Sequence, residues 1–128
     1  MTFENVRFTK EHEWVRFDKG TRIVTVGITD FAAGELGDIV FIEFPEIGRE
    51  VRASEPMGTI EAVKTVADLY APVSGVVKEV NTALADDPAT VNQSPYEKGW
   101  FVKIEIAVMS ELDSLMQKSE YDKMVGKV

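Results

Sequence analysis

The 128-residue chain has no cysteine. That excludes a disulfide framework, thiolate metal sites and a cysteine nucleophile. Any sulfur redox chemistry must arrive on an attached group. A single histidine, His12, excludes a multi-histidine metal centre and a His-Glu-x-x-His site, so no metal is expected. No phosphate-cradling glycine loop is present: Gly34 and Gly37 lack both the spacing and the Lys-Ser/Thr ending. Basic residues are outnumbered, with 14 Lys and Arg against 22 Asp and Glu and a net charge of -8. A nucleic acid would meet a repulsive surface on average. No apolar run approaches the length that spans a bilayer. Met1-Thr2-Phe3-Glu4-Asn5 has neither a basic n-region nor an apolar h-region, and a cytoplasmic protein without membrane contact is expected.

The hydrophobic fraction, 45%, is enough for an ordinary core. The length suits one compact domain over 1–128, with 110–128 as a short helical extension packed on it. Most of the chain reads as short strands. Glu13 to Asp18 alternates, Thr21 to Ile28 alternates less strictly, and Lys19-Gly20 between them predicts a hairpin. Thr29 or Asp30 is placed to cap a helical turn that Gly34 or Gly37 stops. Asp38 to Phe44 predicts a strand buried on more than one side, and Glu50 to Ala53 a short one.

In Met57 to Tyr70, Ile60 and Ala62 share one face by period two, and Thr59 and Glu61 the other. The pattern resumes at Val66, which predicts a hairpin with Lys64 at its tip, although Val63-Lys64-Thr65 lacks the usual Gly or Asn. Val76 to Asn81 and Trp100 to Ile106 are further strands, and Thr82 to Gly99 is irregular apart from a turn near Ala83 to Asp86. In the tail, Ser110 and Ser119 are the expected caps of two helical turns. Leu112, Leu115 and Met116 form one apolar stripe, and Tyr121, Met124 and Val125 the other. Many short strands with frequent turns favour a small sandwich or barrel.

Several blocks occur in order between Phe8 and Lys103. They are Thr9-Lys10-Glu11-His12-Glu13-Trp14-Val15, Val26-Gly27-Ile28-Thr29-Asp30-Phe31-Ala32, and Leu36-Gly37-Asp38-Ile39-Val40-Phe41. Glu61-Ala62-Val63-Lys64-Thr65-Val66-Ala67-Asp68-Leu69-Tyr70-Ala71-Pro72-Val73-Ser74-Gly75 follows, then Val91-Asn92, Ser94-Pro95-Tyr96 and Gly99-Trp100. This ordered set resembles the H-protein family of the glycine cleavage system. The resemblance implies an all-β lipoyl/biotinyl-carrier barrel-sandwich hybrid with short peripheral and C-terminal helices. It implies lipoate in amide linkage to Lys64, as N6-lipoyllysine. It also implies a non-catalytic carrier that takes an aminomethyl group from glycine decarboxylase (P protein) to the tetrahydrofolate-dependent aminomethyltransferase (T protein). Dihydrolipoamide dehydrogenase (L protein) then reoxidises the arm, and a lipoate-attaching enzyme is a further partner.

By the same resemblance, Glu61 and Asp68 belong to the attachment region and serve recognition by the attaching enzyme or arm positioning. His12 and Glu13 belong to the arm's resting cleft, where Glu13 and Asp68 are expected to meet the loaded arm's cationic amine if they converge in space. Trp14, Tyr70 and Trp100 are expected as core or cleft walls.

The residues themselves agree with a carrier. A lysine at a hairpin tip projects on a flexible stem while the strands hold its base. A free lysine amine titrates near about 10.4, so only about one in a few thousand is neutral at pH 7 and attachment needs an enzyme and an activated acyl donor. The amide product is neutral and enters an apolar channel without burying an ammonium. Val63 and Thr65 stand where biotin domains place methionine and where lipoyl domains of 2-oxoacid dehydrogenases place Asp and Ala. An H-like relay of lipoyl groups to other carriers, and an unmodified acidic docking protein, remain as alternatives from residues alone.

Overall fold

The computed structural model describes residues 3–18 and 20–126. The expected Lys19 position in the first turn, Met1-Thr2 and the last two residues lie outside them. The strands are β1 (Val6–Phe8), β2 (Glu13–Phe17), β3 (Ile23–Ile28), β4 (Ile39–Glu43), β5 (Glu50–Val51), β6 (Pro56–Ala62), β7 (Val66–Tyr70), β8 (Gly75–Val80) and β9 (Val102–Ile106). The α-helices are α1 (Asp30–Leu36), α2 (Ala83–Asp86), α3 (Thr90–Gln93) and α4 (Lys118–Met124), with a 3-10 helix at Met109–Ser114.

Among the described residues the strands form a six-stranded sheet in the order β1-β2-β3-β9-β8-β5 and a three-stranded sheet in the order β4-β6-β7. The expected β-rich architecture with peripheral helices is present. The expected closure into a barrel is not seen, because no ladder joins the two sheets. Apolar packing joins them instead. Val15, Val26, Ile28 and Ile104 from the large sheet and Ile42, Ile60 and Leu69 from the small one belong to one buried cluster. Each such side chain, fully buried, stabilises by about 1.5–3 kcal/mol.

A second cluster lies on the β1–β2 end of the large sheet, where Val6, Phe8 and Trp14 meet Tyr121 of α4. The Phe8 and Tyr121 rings stack at 4.8 Å. β1 has no counterpart in the alternation, since three residues are too few to display a period. The tail differs from its expected caps. Val108, not Ser110, precedes the 3-10 helix, and Glu111 instead accepts from the backbone N–H and hydroxyl of Ser74. Gln117, not Ser119, caps α4 in a capping box with Glu120. Met124 is exposed rather than turned to the core. α3 was not expected, and α1 runs through Gly34 to stop at Gly37, whose φ of 78° suits glycine.

The register of β2 on β3 sets the later geometry. It pairs Glu13 with Ile28 and Trp14 with Gly27. The indole lies over Gly27 so closely that a Cβ there would be 2.6 Å from the ring. The indole N–H donates to the Pro95 carbonyl at 2.9 Å, so the ring is not free to retreat. Gly27→Ala is therefore expected to cost roughly 1–3 kcal/mol by overpacking. Thermal unfolding reads this directly, and an unchanged midpoint would show that Trp14 has room to move.

Candidate functional site

β6 and β7 form the predicted hairpin, and Lys64 stands in its three-residue connection Val63-Lys64-Thr65. Ile60 and Ala62 are buried and Glu61 is exposed, as period two requires. The connection needs no Gly or Asn because it has no left-handed residue: among described non-glycine residues only His12 and Ser54 have positive φ. Its base is tied down. The Ala62 N–H donates to the Thr65 carbonyl at 2.8 Å, and the Val63 N–H donates to the Asp38 carbonyl of the neighbouring segment at 3.0 Å. Lys64 itself is exposed, with no hydrogen bond or ion pair among the described residues. The arrangement is a rigid base under a freely rotating amine.

A cleft of about 290 Å³ opens beside this hairpin. Its apolar wall includes Ile28, Phe31 and Ile60, and its carboxyl groups are Glu11, Glu13, Glu35 and Asp68. Among the described residues the lining holds no Lys or Arg. An apolar wall with several carboxyls suits an apolar chain that ends in a cation. Of the residues singled out in the sequence, the structure brings His12, Glu13 and Asp68 together in this cleft. Glu61 is not among the lining residues, and its strand pairing places it between Phe41 and Val66 on the outer face of the small sheet.

Glu13 is 1% exposed. One carboxylate oxygen accepts from the Thr9 hydroxyl at 2.8 Å, and the other accepts from the Tyr70 N–H on β7 at 3.2 Å. The carboxyl thus bridges the large sheet to the edge of the lysine hairpin. Burial pushes its pKa from 4.5 up to about 8, with the Thr9 and Tyr70 hydrogen bonds pulling the other way.

His12 takes a left-handed φ of 70° at the turn into β2. Its Nδ1 pairs with the Tyr121 hydroxyl at 2.8 Å, and that hydroxyl pairs with Thr29 Oγ1 at 2.7 Å. Thr29 Oγ1 also accepts from the Ala32 N–H and so caps α1. Burial lowers the His12 pKa, against the raising effect of Glu11 and Glu35, and the ring is mostly neutral at pH 7. One chain of hydrogen bonds therefore links the C-terminal helix, the His12 wall and the helix that carries Phe31. The pairing of Tyr121 with His12 spans 109 positions and has no local signal. Phe31 was within reach of the sequence, through the Thr29 cap and the apolar residues behind it. Trp14 lies in the core, while Tyr70 and Trp100 are half-buried.

The profile of a family described as "Glycine cleavage H-protein" matches residues 6–128. The glycine cleavage system H protein of Geobacillus thermodenitrificans (strain NG80-2) is 53% identical over 126 residues, 98% of each chain. That of Staphylococcus carnosus (strain TM300) is 51% identical over 124 residues, 97% of each chain. A crystal structure of a glycine cleavage system H protein from Mycobacterium marinum, 40% identical, superposes with a TM-score of 0.88 over 98% of this chain and 99% of that one. Similarity on this scale, over nearly the whole length and in the same fold, shows that the chain belongs to the glycine cleavage H-protein family of lipoyl carriers.

Proposed function

We propose that Lys64 is the lipoylated residue and that the acid-lined cleft beside it is where the arm rests. The chain is a carrier and not an enzyme: it shuttles the aminomethyl group of glycine between the enzymes of glycine cleavage. The observation that carries the assignment to Lys64 is its amine, unpartnered among the described residues, at the tip of a hairpin whose base is tied by hydrogen bonds. Lipoate supplies the sulfur chemistry that the cysteine-free chain lacks. On this reading the chain is one carrier domain of the barrel-sandwich kind. Its successive partners are the P protein, the T protein, the L protein and the attaching enzyme.

The supporting residues divide by position. Glu61, on the outer face next to the tip, serves recognition during attachment. Glu13, His12 and Asp68 shape the cleft. Asp68 is exposed at its rim and offers a carboxylate to a cationic amine, while Glu13 holds β7 against the large sheet. His12 fixes the wall through Tyr121 and Thr29.

The first test is intact mass and peptide mapping of protein from cells that make and attach lipoate. A gain of about 188 Da on the Lys64 peptide is expected, against about 226 Da for biotin. An unmodified Lys64, with another carrier lipoylated in the same cells, would overturn the reading. Asp68→Asn, prepared fully lipoylated, is expected to slow aminomethyl exchange by roughly two- to fivefold, as for a solvated charge contact. Exchange at the normal rate would leave Asp68 as a solvated surface acid.

A further inference from the structure

The hydrogen-bond chain behind the cleft has a direction, and counting its hydrogens gives it. Thr29 is fully buried. Its Oγ1 accepts from the Ala32 N–H at 3.1 Å and has one further partner among the described residues, the Tyr121 hydroxyl at 2.7 Å. The Thr29 hydroxyl has one hydrogen to place, and Tyr121 Oη is the acceptor within its reach. The reverse order, from His12 through Tyr121 to Thr29, would leave that hydrogen buried without an acceptor, at the cost of its desolvation. Thr29 therefore donates to Tyr121. The hydrogen of Tyr121, itself 2% exposed, then goes to His12 Nδ1 at 2.8 Å. A neutral imidazole whose Nδ1 accepts carries its proton on Nε2. The ring is held in place as well. The His12 carbonyl accepts from the Thr29 N–H at 2.9 Å, and the ring lies 5.0 Å from that of Phe31. His12 lines the cleft, and with Nδ1 turned to α4 the opposite edge, with Nε2, is the one left to it.

We propose that Tyr121 and Thr29 are positioning residues that lock the Nε2–H tautomer of His12, so that the chain's one imidazole faces the cleft as a donor and not as a base. The proposal rests on the reading that the arm on Lys64 lies in this cleft. The load is a cationic amine, and the carboxyls of Glu13 and Asp68 are there to accept its hydrogens. A bare Nε2 would be a further acceptor, and one that titrates near neutrality. Such a base draws a proton from the ammonium and leaves an amine. The nitrogen lone pair then forms a second bond to carbon as the C–S bond breaks. The sulfur keeps the bonding pair and takes the proton back from the base. Water adds to the carbon–nitrogen double bond, and formaldehyde and ammonium leave. The sum is a hydrolysis with no change of oxidation state, and the load is lost. Under the lock both ring nitrogens are occupied, Nδ1 by the Tyr121 hydrogen and Nε2 by its own. The imidazolium is opposed too, because its Nδ1 hydrogen would face that of Tyr121. No second cation then competes with the load for the carboxyls.

A single histidine makes the test direct, since isotopic labelling of its ring nitrogens gives one pair of magnetic-resonance signals. In the unmodified full chain at pH 7, Nε2 is expected to carry the hydrogen and Nδ1 none. A proton on Nδ1, or fast averaging between the two, would overturn the lock. Tyr121→Phe keeps the ring that stacks on Phe8 and removes the hydroxyl, and averaged tautomers are expected. Thr29→Ser keeps a hydroxyl and is expected to show the parent's signals. The second readout is the lifetime of the load. The lipoylated chain is loaded by glycine decarboxylase, separated from it, and followed by formaldehyde release. Tyr121→Phe is expected to lose the load at least about tenfold faster, below the range of a well-placed general base. Its rate is expected to climb through the pH at which its own histidine signals titrate, with no such step in the parent. Glu11, Glu13, Glu35 and Asp68 also face the cleft, so the coincidence with the histidine signals decides, not a pH step alone. Faster loss without that coincidence would mean a loosened wall and would overturn the role given to the tautomer. An unchanged lifetime beside averaged tautomers would overturn it as well. Should Tyr121→Phe melt early, Thr29→Val removes the donor that orients the Tyr121 hydroxyl and carries the same comparison. Failure of the underlying reading looks different: Lys64 would take no lipoyl group and no load, while the unmodified chain would still report the lock.

Discussion

Lys64→Arg is expected to yield a folded protein that supports no glycine cleavage. The substitution keeps the charge and most of the stem length, so the field around the hairpin is preserved. It removes nucleophilicity. The guanidinium is delocalised and stays protonated under all working conditions, so it presents no neutral amine to an acyl donor. The tip contributes little to the fold: Lys64 is exposed and makes no side-chain bond among the described residues, and the loop's backbone N–H bonds are made by Ala62 and Val63. Stability should therefore stay within about 0.5 kcal/mol of the parent. Reconstituted glycine cleavage with the partner enzymes should fall to background, and mass analysis should show no lipoyl gain on any residue. Full turnover by this variant would remove Lys64 from the mechanism. Loss of turnover accompanied by a lowered melting midpoint would instead point to a structural role for the tip.

How far the sequence reaches is visible in particular residues. The lysine hairpin was legible because Ile60 and Ala62 alternate with Thr59 and Glu61, and that period is a property of the strand alone. β2, β3 and β9 were legible for the same reason. The exposure of Val40 was not: it follows from an extra residue opposite β6, and a bulge is defined by two strands together. The helix caps at Gln117 and Val108 were missed because a serine is a better capping residue in isolation. Glu111 had a closer partner in Ser74, and the side chain went there.

The candidate site divides in the same way. Lys64 stands out through its ordered motif, and His12, Glu13 and Asp68 through blocks that surround it. Their convergence depends on the pairing of Glu13 with Ile28 and on a β7 edge that turns its Tyr70 N–H towards the large sheet. Neither is written in any local pattern. The burial of Glu13 is equally tertiary, since Glu-Trp-Val at the start of a strand reads as a polar residue at the surface.

That burial has a measurable consequence in the pH dependence of stability. The Glu13 pKa is raised from 4.5 to about 8 in the folded protein. Below about pH 4.5 the carboxyl is protonated in both folded and unfolded chains and contributes nothing to the difference. Between about 4.5 and 8 the folded chain keeps a proton that the unfolded chain has lost. Stability therefore falls as pH rises through this window, and the full penalty is present above about 8, on the order of a few kcal/mol. Glu13→Gln removes the titration while keeping shape and a carbonyl for the Tyr70 N–H. Its amide can donate to Thr9 Oγ1 in place of the bond that Thr9 now gives. The melting midpoint of Glu13→Gln should equal or trail the parent near pH 5 and exceed it by several degrees near pH 8.5. His12 works in the opposite direction, because its lowered pKa makes stability fall as pH drops below about 6.5. Both proteins share that term, so it cancels in their difference. Parallel curves across the range would mean that Glu13 is already ionised at neutral pH and that solvent reaches it. The predicted divergence would mean that the carboxyl is neutral while nothing cationic faces it; a cation laid against such a group favours its ionised form. A group with that property can hold an amine without imposing a permanent buried charge on the fold.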